Sequence, residues 1–348
     1  MMMKINDDLL RHIESDLSLN APYNKGKINP VKNCWHFYSS GNAVDALFYD
    51  KDDFIDGMNR VFTVCEKHSV IILAFCLMDT HVHFILYGEY DHCNKFMHNY
   101  MYHTSIRISK RHNERHKLLR IPIISHQVID NESYLKSVIC YVIKNAPVGG
   151  LKYSSYDYPW SSGGLYFRDS NPWYAPIWTK ICGQSNMSEL AKSESSKTDD
   201  FCSIFKSTHL NKLNTREKRI LFKSKIINYR DNILIIDGVI FPGEYVAYEI
   251  VERIFKTNRS FNYFMCKTKE EDIEKQGGIL SELSIPIQEL RQHRNKICKN
   301  LFETDSIRNL TPQQRIKLAR AIKSQLNCSP KQICRLCGLI YTEIKDLL

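Results

Sequence analysis

Hydrophobic positions change their spacing along the first half of the chain, and each spacing predicts one kind of element. The aromatic run Cys34-Trp35-His36-Phe37-Tyr38 predicts a strand, and the continuous apolar run over 70–77 predicts a central strand buried on both sides. Apolar residues at helical spacing predict helices, and alternation predicts further strands. The remaining predicted elements are helices at 52–68, 91–111 and 132–145 and strands at 81–87 and 121–128. The resulting order β-α-β-β-α-β-α is the ferredoxin-like arrangement of an α+β protein, with helices on one face of a sheet.

The second half is mostly helical, with a hairpin and a helical C-terminal unit as its clearest signals. Asp237-Gly238 between two apolar runs predicts a hairpin. Thr311-Pro312-Gln313-Gln314 is a capping box with proline at the first helical position, and Ser329-Pro330-Lys331-Gln332 repeats the pattern. Three short helices with a turn at Gly338-Leu339 resemble a helix-turn-helix that binds DNA. A trihelical protein-protein module is the alternative.

These patterns divide the chain into five parts. We expect a loosely tied N-terminal arm at 1–32, the α+β domain at 33–165, and a linker region at 166–200, where polar and serine residues concentrate. A middle region of unknown role follows at 201–300, and the helix-turn-helix-like unit occupies 301–348.

Composition and charge limit the partners and the cellular compartment that we expect for the protein. The 348 residues carry 48 Lys+Arg against 38 Asp+Glu, and a net charge of +10 suits a nucleic-acid partner. No apolar run predicts a membrane span, and the N-terminus lacks an apolar signal core, so we expect a cytoplasmic protein whose 12 cysteines are reduced. Cys334 and Cys337 form a CxxC near Cys328, but core positions of a short helix explain them better than zinc.

Two groups of polar residues predict a site between a strand and a helix. His81 and His83 are two apart on a strand and therefore share a face. At about 100° per residue, Tyr134, Tyr141 and Asn145 form a stripe beside the apolar stripe of their helix, which predicts half-buried side chains at the border of the sheet. The ordinary alternative is a pair of border tyrosines, with Asn145 capping the helix near Pro147.

Three motifs in order resemble one protein family. The strand segment Cys76-Leu77-Met78-Asp79-Thr80-His81-Val82-His83 resembles the Cys-Leu-Met-Pro-Asn-His-Val-His signature of REP-associated tyrosine transposases, a branch of the single-tyrosine HUH transposases. Tyr141-Val142-Ile143-Lys144-Asn145 resembles their tyrosine helix, and Tyr158-Pro159-Trp160-Ser161-Ser162 matches a further segment. The resemblance covers about 33–165, with Asp79-Thr80 in place of Pro-Asn and the proline after Asn145 shifted by one residue.

The resemblance implies a transposase that cleaves and rejoins single-stranded DNA through a 5′-phosphotyrosine. His81, His83 and Asn145 would hold Mg²⁺ or Mn²⁺, and Tyr141 would be the nucleophile. A homodimer, in which one subunit supplies the tyrosine helix to its partner's histidines, is also compatible with the resemblance. The first alternative is a catalytically inactive or domesticated DNA-binding regulator on the same fold. A two-histidine phosphoesterase is a third class, but it needs two His-x-Ser/Thr motifs, and only His103-Thr104-Ser105 fits.

A basic segment near the predicted site is the candidate contact for single-stranded or hairpin DNA. Phosphate groups attract such clusters, although charge runs are also common on solvated helix faces. The candidate DNA-binding residues are Arg107, Lys110, Arg111, Arg115, Lys117 and Arg120.

Overall fold

The computed structural model describes most of the chain in segments separated by gaps. These are residues 7–21, 29–39, 47–112, 124–148, 151, 153–168, 207–224, 229–268, 287–304, 306–326 and 330–339. The most linker-like stretch at 183–200, the last predicted helix from Thr342, and Arg115, Lys117 and Arg120 lie outside the described residues.

A four-stranded antiparallel sheet forms the centre of the structure. Its strands are β1 (Cys34–Ser39), β2 (Ile71–Leu77), β3 (Val82–Tyr87) and β4 (Ile124–Val128). They lie in the order β2-β3-β1-β4, and every neighbouring pair is antiparallel. The predicted α+β class is confirmed at this level.

Helices cover both faces of the sheet, whereas the sequence predicted one. The helices in this part are α1 (Asp7–Asp16), α2 (Lys51–Cys65), α3 (Tyr90–Arg111), α4 (Glu132–Ile143) and α5 (Asn145–Val148). Because neighbouring strand residues point to opposite faces, Phe84 packs on Phe96 and Tyr100 of α3 while His83 packs on Tyr141 of α4. Helix α2 packs beside α3, on the face of the sheet to which Phe84 points. The Tyr100 hydroxyl of α3 donates a hydrogen bond to the Gly57 carbonyl of α2.

Capping residues set the boundaries of α4. The Asn131 side chain accepts a hydrogen bond from the Tyr134 amide and begins the helix. The sequence predicted that Pro147 stops this helix at Asn145, but α4 ends at Ile143 and the short helix α5 follows. Pro147 is the third residue of α5. The first amide groups of a helix make no intrahelical hydrogen bonds, so a proline, which has no amide hydrogen, is tolerated there.

The predicted N-terminal arm contains the packed helix α1. Ile13 and Leu17 are fully buried, so this segment contributes to the main core. The carboxylate of Asp16 accepts hydrogen bonds from the Tyr87 hydroxyl at 3.0 Å and from the Asn33 amide at 2.9 Å. These polar contacts anchor the C-terminal end of α1 beside β3.

Strand β2 is an edge strand whose open side is covered by two later segments. Trp160 and Ser162 pair with the backbone of Leu77 and Phe75, and the Tyr158 hydroxyl donates to the Leu77 carbonyl at 2.8 Å. Further along, the Ala247 amide donates to the Ile72 carbonyl. The Tyr-Pro-Trp-Ser-Ser segment therefore satisfies hydrogen-bonding groups that a bare edge would expose.

The described part of the middle region packs on the same hydrophobic core as the sheet. It contains β5 (Ser207–His209), β6 (Leu234–Ile236), β7 (Val239–Ile240), α6 (Thr215–Phe222), α7 (Tyr248–Phe255) and α8 (Asn258–Lys267). The predicted hairpin at Asp237-Gly238 is confirmed, because both residues have positive φ, 49° and 81°, as a type I′ turn requires.

A second, separate hydrophobic core lies in the C-terminal part. It joins α9 (Ile287–Phe302), α10 (Pro312–Gln325) and α11 (Pro330–Cys337). The predicted capping box at Thr311 is present. Cys334 and Cys337 are buried in this core, at packing positions of α11. No helix in the described segments is both long and apolar enough to cross a bilayer.

Candidate metal and tyrosine site

Polar side chains from three adjacent strands meet on the face that α4 covers. Tyr38 of β1 is directly opposite His83 of β3, and His36 of β1 is directly opposite Gln127 of β4. Because alternate residues of a strand share a face, all four of these side chains point toward α4. His36 is the diagonal neighbour of His83 across β1 and β3, a distance that aromatic side chains can bridge.

The structure brings the four predicted site residues together. The Tyr141 ring meets the His83 ring edge to face, with centroids 5.5 Å apart. The rings of His81 and His83 are 5.1 Å apart, and Nε2 of His81 is 3.4 Å from Oδ1 of Asn145. His81 directly precedes β3, and α5 begins at Asn145.

The tyrosine helix is buried more deeply than its stripe predicted. Tyr134 and Tyr141 are each 6% exposed and Asn145 is 8% exposed, whereas the sequence predicted half-buried side chains. The reason is that the sheet face itself is polar here. The polar side chains of His36, His83 and Gln127 contact the tyrosines of this helix. The polar stripe of the helix therefore faces the sheet and does not lie at its border.

Asn145 combines the ordinary capping role with a contact to His81. Its Nδ2 donates to the backbone carbonyl of Tyr141 at 3.1 Å and to that of Val142 at 3.4 Å. These bonds fix the orientation of the amide, so its Oδ1 is directed to His81. The capping bonds position the oxygen that a cation would need.

The donor set suits a small divalent cation. Nδ1 of His81 lies 2.9 Å from the Thr80 hydroxyl, and Nδ1 of His83 lies 2.9 Å from Nε2 of His36. In each of these two rings, Nδ1 is thus within hydrogen-bonding distance of another side chain, and Nε2 is the nitrogen that would bind a cation. The 3.4 Å separation of His81 Nε2 and Asn145 Oδ1 is close to that of two ligands sharing one ion at bond lengths of about 2.1 Å. The amide oxygen is a ligand type that Mg²⁺ and Mn²⁺ prefer, and imidazole nitrogen is a general ligand of divalent transition metals.

Sequence reasoning missed three members of this site: His36, Tyr38 and Gln127. His36 is 1% exposed, and burial lowers the pKa of its imidazole to about 4, partly offset by the hydrogen bond to Gln127. Tyr38 stacks on His83 with centroids 5.8 Å apart. The available signal was the alternation of β1, which puts Tyr38 on the same face as His36.

The candidate DNA-binding residues do not border this site. Arg107 bonds to Asp56 at 2.9 Å, and Arg111 bonds to Asp50, Asp52 and Asp53 near the start of α2. Lys110 is exposed. All three belong to α3, which packs on the opposite face of the sheet, so the charges of Arg107 and Arg111 serve helix packing.

A second cluster of metal-ligating types occurs beside Arg111. Among the described segments, Asp50, Asp53 and His112 form the one group of three His, Cys, Asp or Glu side chains close enough to share an ion. The Arg111 guanidinium already bonds to both carboxylates, and Nε2 of His112 lies 2.8 Å from Asp53. An ion pair network accounts for this cluster.

Comparisons of the chain with protein-family models, with curated proteins and with solved structures found no match.

Proposed function

We propose that this protein is a metal-dependent DNA strand transferase that cleaves and rejoins single-stranded or hairpin DNA through a 5′-phosphotyrosine on Tyr141. One observation carries the proposal. The four residues that the motif resemblance singles out form a continuous series of contacts, from Tyr141 to His83, from His83 to His81 and from His81 to Asn145.

The architecture supports the same proposal. The element order β1-α2-β2-β3-α3-β4-α4 and the antiparallel strand order β2-β3-β1-β4 are compatible with the ferredoxin-like fold that the resemblance to HUH transposases implies, and this supports the proposal. Two short interactions, between Trp160 and Leu77 and between Ser162 and Phe75, give the third motif a role in closing the edge of that sheet.

The proposed chemistry is an exchange of phosphodiester bonds. Tyr141 gives up its hydroxyl proton to solvent as its oxygen attacks the phosphorus and a tyrosyl phosphoester bond forms. The bond from phosphorus to the 3′ oxygen breaks, and that oxygen takes a proton from solvent and leaves as a hydroxyl. Because one ester replaces another, the reverse attack by a 3′ hydroxyl rejoins DNA without ATP. A free tyrosine, with a pKa of about 10, is a weak nucleophile. Bound at His81, His83 and Asn145, Mg²⁺ or Mn²⁺ would supply Lewis-acid polarisation of the phosphate.

The test is the formation of a covalent protein-DNA adduct. Purified protein is incubated with labelled single-stranded hairpin oligonucleotides from the DNA flanking its gene, with Mn²⁺ or Mg²⁺, and separated under denaturing conditions. We expect a shifted band that requires the cation and is lost in Tyr141→Phe, because only the hydroxyl is removed.

Two other tyrosines make the assignment specific. Tyr38→Phe alters the tyrosine that stacks on His83, and Tyr102→Phe alters an exposed residue of α3 on the other sheet face. We expect the adduct to persist in both. An adduct that survives in Tyr141→Phe but is lost in Tyr38→Phe would move the nucleophile to Tyr38. Salt-sensitive DNA binding by the wild type with no adduct under either cation would favour the non-catalytic regulator.

A further inference from the structure

A series of side-chain hydrogen bonds connects His83 of β3, through His36 and Gln127, to Tyr134 of α4. Nδ1 of His83 lies 2.9 Å from Nε2 of His36, and Nδ1 of His36 lies 3.3 Å from Oε1 of Gln127. The Tyr134 hydroxyl donates to the same Gln127 oxygen at 3.0 Å. We call His36, Gln127 and Tyr134 the relay.

The relay uses one residue from each of three elements, of which two are buried and Gln127 is half-buried. His36 is 1% exposed and Tyr134 is 6% exposed. The His36 and His83 rings are nearly parallel, with an interplanar angle of 18°. The hydrogen bond between His36 and His83 is buried, and the elements β1, β4 and α4 all constrain the orientation of His83.

The positions of the hydrogens follow from counting donors and acceptors. An amide oxygen only accepts, so with Oε1 of Gln127 facing His36, Nδ1 of His36 carries the hydrogen. A neutral imidazole has one donor and one acceptor nitrogen, so Nε2 of His36 accepts and Nδ1 of His83 donates to it. Nε2 of His83 is then left with its lone pair, which is the form that ligates a metal.

The opposite orientation of the Gln127 amide gives the opposite result. Its nitrogen would donate to His36, each ring would exchange donor for acceptor, and Nε2 of His83 would carry a hydrogen. In the present orientation Nε2 of Gln127 is buried without a hydrogen-bond partner, and the opposite orientation would leave the oxygen in that position. The count of unpaired atoms is thus equal, and only the first orientation prepares His83 for a cation.

We propose that His36, Gln127 and Tyr134 are positioning residues that hold His83 in its Nδ1–H tautomer, so that Nε2 is ready to ligate a divalent cation. This inference rests on the proposed metal site and deepens it. Hydrogen bonds of this kind orient metal-ligating histidines and raise their basicity, and their loss weakens metal binding by about 10- to 100-fold.

The first measurement is the tautomer of His83 in the metal-free full-length protein. Long-range ¹H–¹⁵N correlation spectra distinguish a protonated ring nitrogen from an unprotonated one, and His83→Gln and His36→Gln identify the two sets of signals. We expect both histidines to carry hydrogen on Nδ1. A wild-type spectrum with the hydrogen on Nε2 of His83 would overturn the proposal.

The second measurement is Mn²⁺ affinity without DNA, followed by electron paramagnetic resonance of the free ion. Gln127→Leu removes the acceptor, and we expect it to weaken binding by about 10- to 100-fold. Gln127→Glu supplies an acceptor-only carboxylate and should retain both the Nδ1–H tautomer and most of the affinity. Val128→Ala is the matched control, because this neighbouring side chain of β4 is 57% exposed.

The outcomes separate this inference from the proposed function. Equal Mn²⁺ affinity in Gln127→Leu and the wild type, or no Mn²⁺ binding by the wild type, overturns the relay. If the tautomer and the affinities behave as expected but no DNA adduct forms, the relay stands and the strand-transferase proposal fails. Circular dichroism of each variant verifies that the fold is retained.

Discussion

At the residue scale, single buried polar side chains join elements that are distant in sequence. Asn59 is 5% exposed and lies on α2. Its Nδ2 donates to the Gly238 carbonyl at 2.8 Å, and its Oδ1 accepts from the Ile240 amide at 2.8 Å. One amide therefore attaches the hairpin of the middle region to a helix of the central sheet.

We expect Asn59→Ala to destabilise the protein by about 3 kcal/mol. The substitution leaves one buried carbonyl and one buried amide unpaired, and each such group costs about 1–3 kcal/mol. Chemical denaturation measures the free energy of unfolding. Asn99→Ala, at an exposed position of α3, should change it by less than about 0.5 kcal/mol. Equal effects of the two substitutions would show that the Asn59 contacts contribute nothing.

Sequence spacing was sufficient for some site residues and insufficient for others. His81 with His83 and Tyr141 with Asn145 are local pairs, whose common direction follows from strand and helix geometry. The hydrogen bond between His36 and His83 spans 47 positions, and that between His36 and Gln127 spans 91. These contacts depend on which strands pair and in what register, and local spacing in the sequence reveals neither.

At the element scale, ion pairs hold α3 against the start of α2. The Arg111 guanidinium bonds to Asp50, which caps α2, and to Asp53, whose side chain is 1% exposed. The hydrogen bond from Arg111 is the main cause that lowers the pKa of Asp50. The sequence predicts a DNA surface from this run of positive charge, and the acidic partners that the structure gives Arg111 lie 61 and 58 positions away, beyond the reach of a local pattern.

Arg111→Gln should destabilise the protein by about 2 kcal/mol at neutral pH, because the buried Asp53 carboxylate loses a charged partner. Since the folded-state pKa of Asp50 is lowered, its contribution is present above about pH 4 and is lost as the pH falls through the lowered value. The difference between variant and wild type should therefore shrink in acid. Denaturation at several pH values measures it.

The neighbouring residue gives the control for this ion pair network. Lys110→Gln removes the same charge from an exposed position and should leave the free energy of unfolding nearly unchanged. If Arg111 instead contacts DNA, its substitution would weaken DNA binding at unchanged stability, and the packing role assigned to it would be wrong.

Element boundaries were predictable where periodicity is strong, and long-range packing was not. The helix predicted at 91–111 is found at Tyr90–Arg111, and the strand predicted at 70–77 is found at Ile71–Leu77. The segment that contains α1 is predicted to be an arm because Pro22, Gly26 and Pro30 interrupt it. Its stability comes from burial of Ile13 and Leu17 against distant elements, and a local pattern does not identify those partners.

At the scale of the whole molecule, the described residues fall into two hydrophobic cores. The first includes residues from α1 to α8, and the second joins α9, α10 and α11. Polar contacts connect them: Arg308 pairs with Asp79, two residues before His81, and Arg291 donates to the Val148 carbonyl at 3.3 Å. Surface contacts of this kind contribute little free energy, so the two cores should unfold as separate cooperative units.

Leu318→Ala tests this separation. Leu318 is fully buried in the second core, and its truncation should destabilise that core by about 2–5 kcal/mol. Trp160 belongs to the first core and Trp35 packs against it, so the fluorescence of these two tryptophans follows the unfolding of that core, while circular dichroism follows both cores. We expect an earlier circular dichroism transition in the variant with an unchanged fluorescence midpoint. Val138→Ala, in the first core, should lower the midpoint of the fluorescence transition and leave the circular dichroism transition of the second core unchanged. Coincident shifts of both signals in either variant would show one cooperative unit.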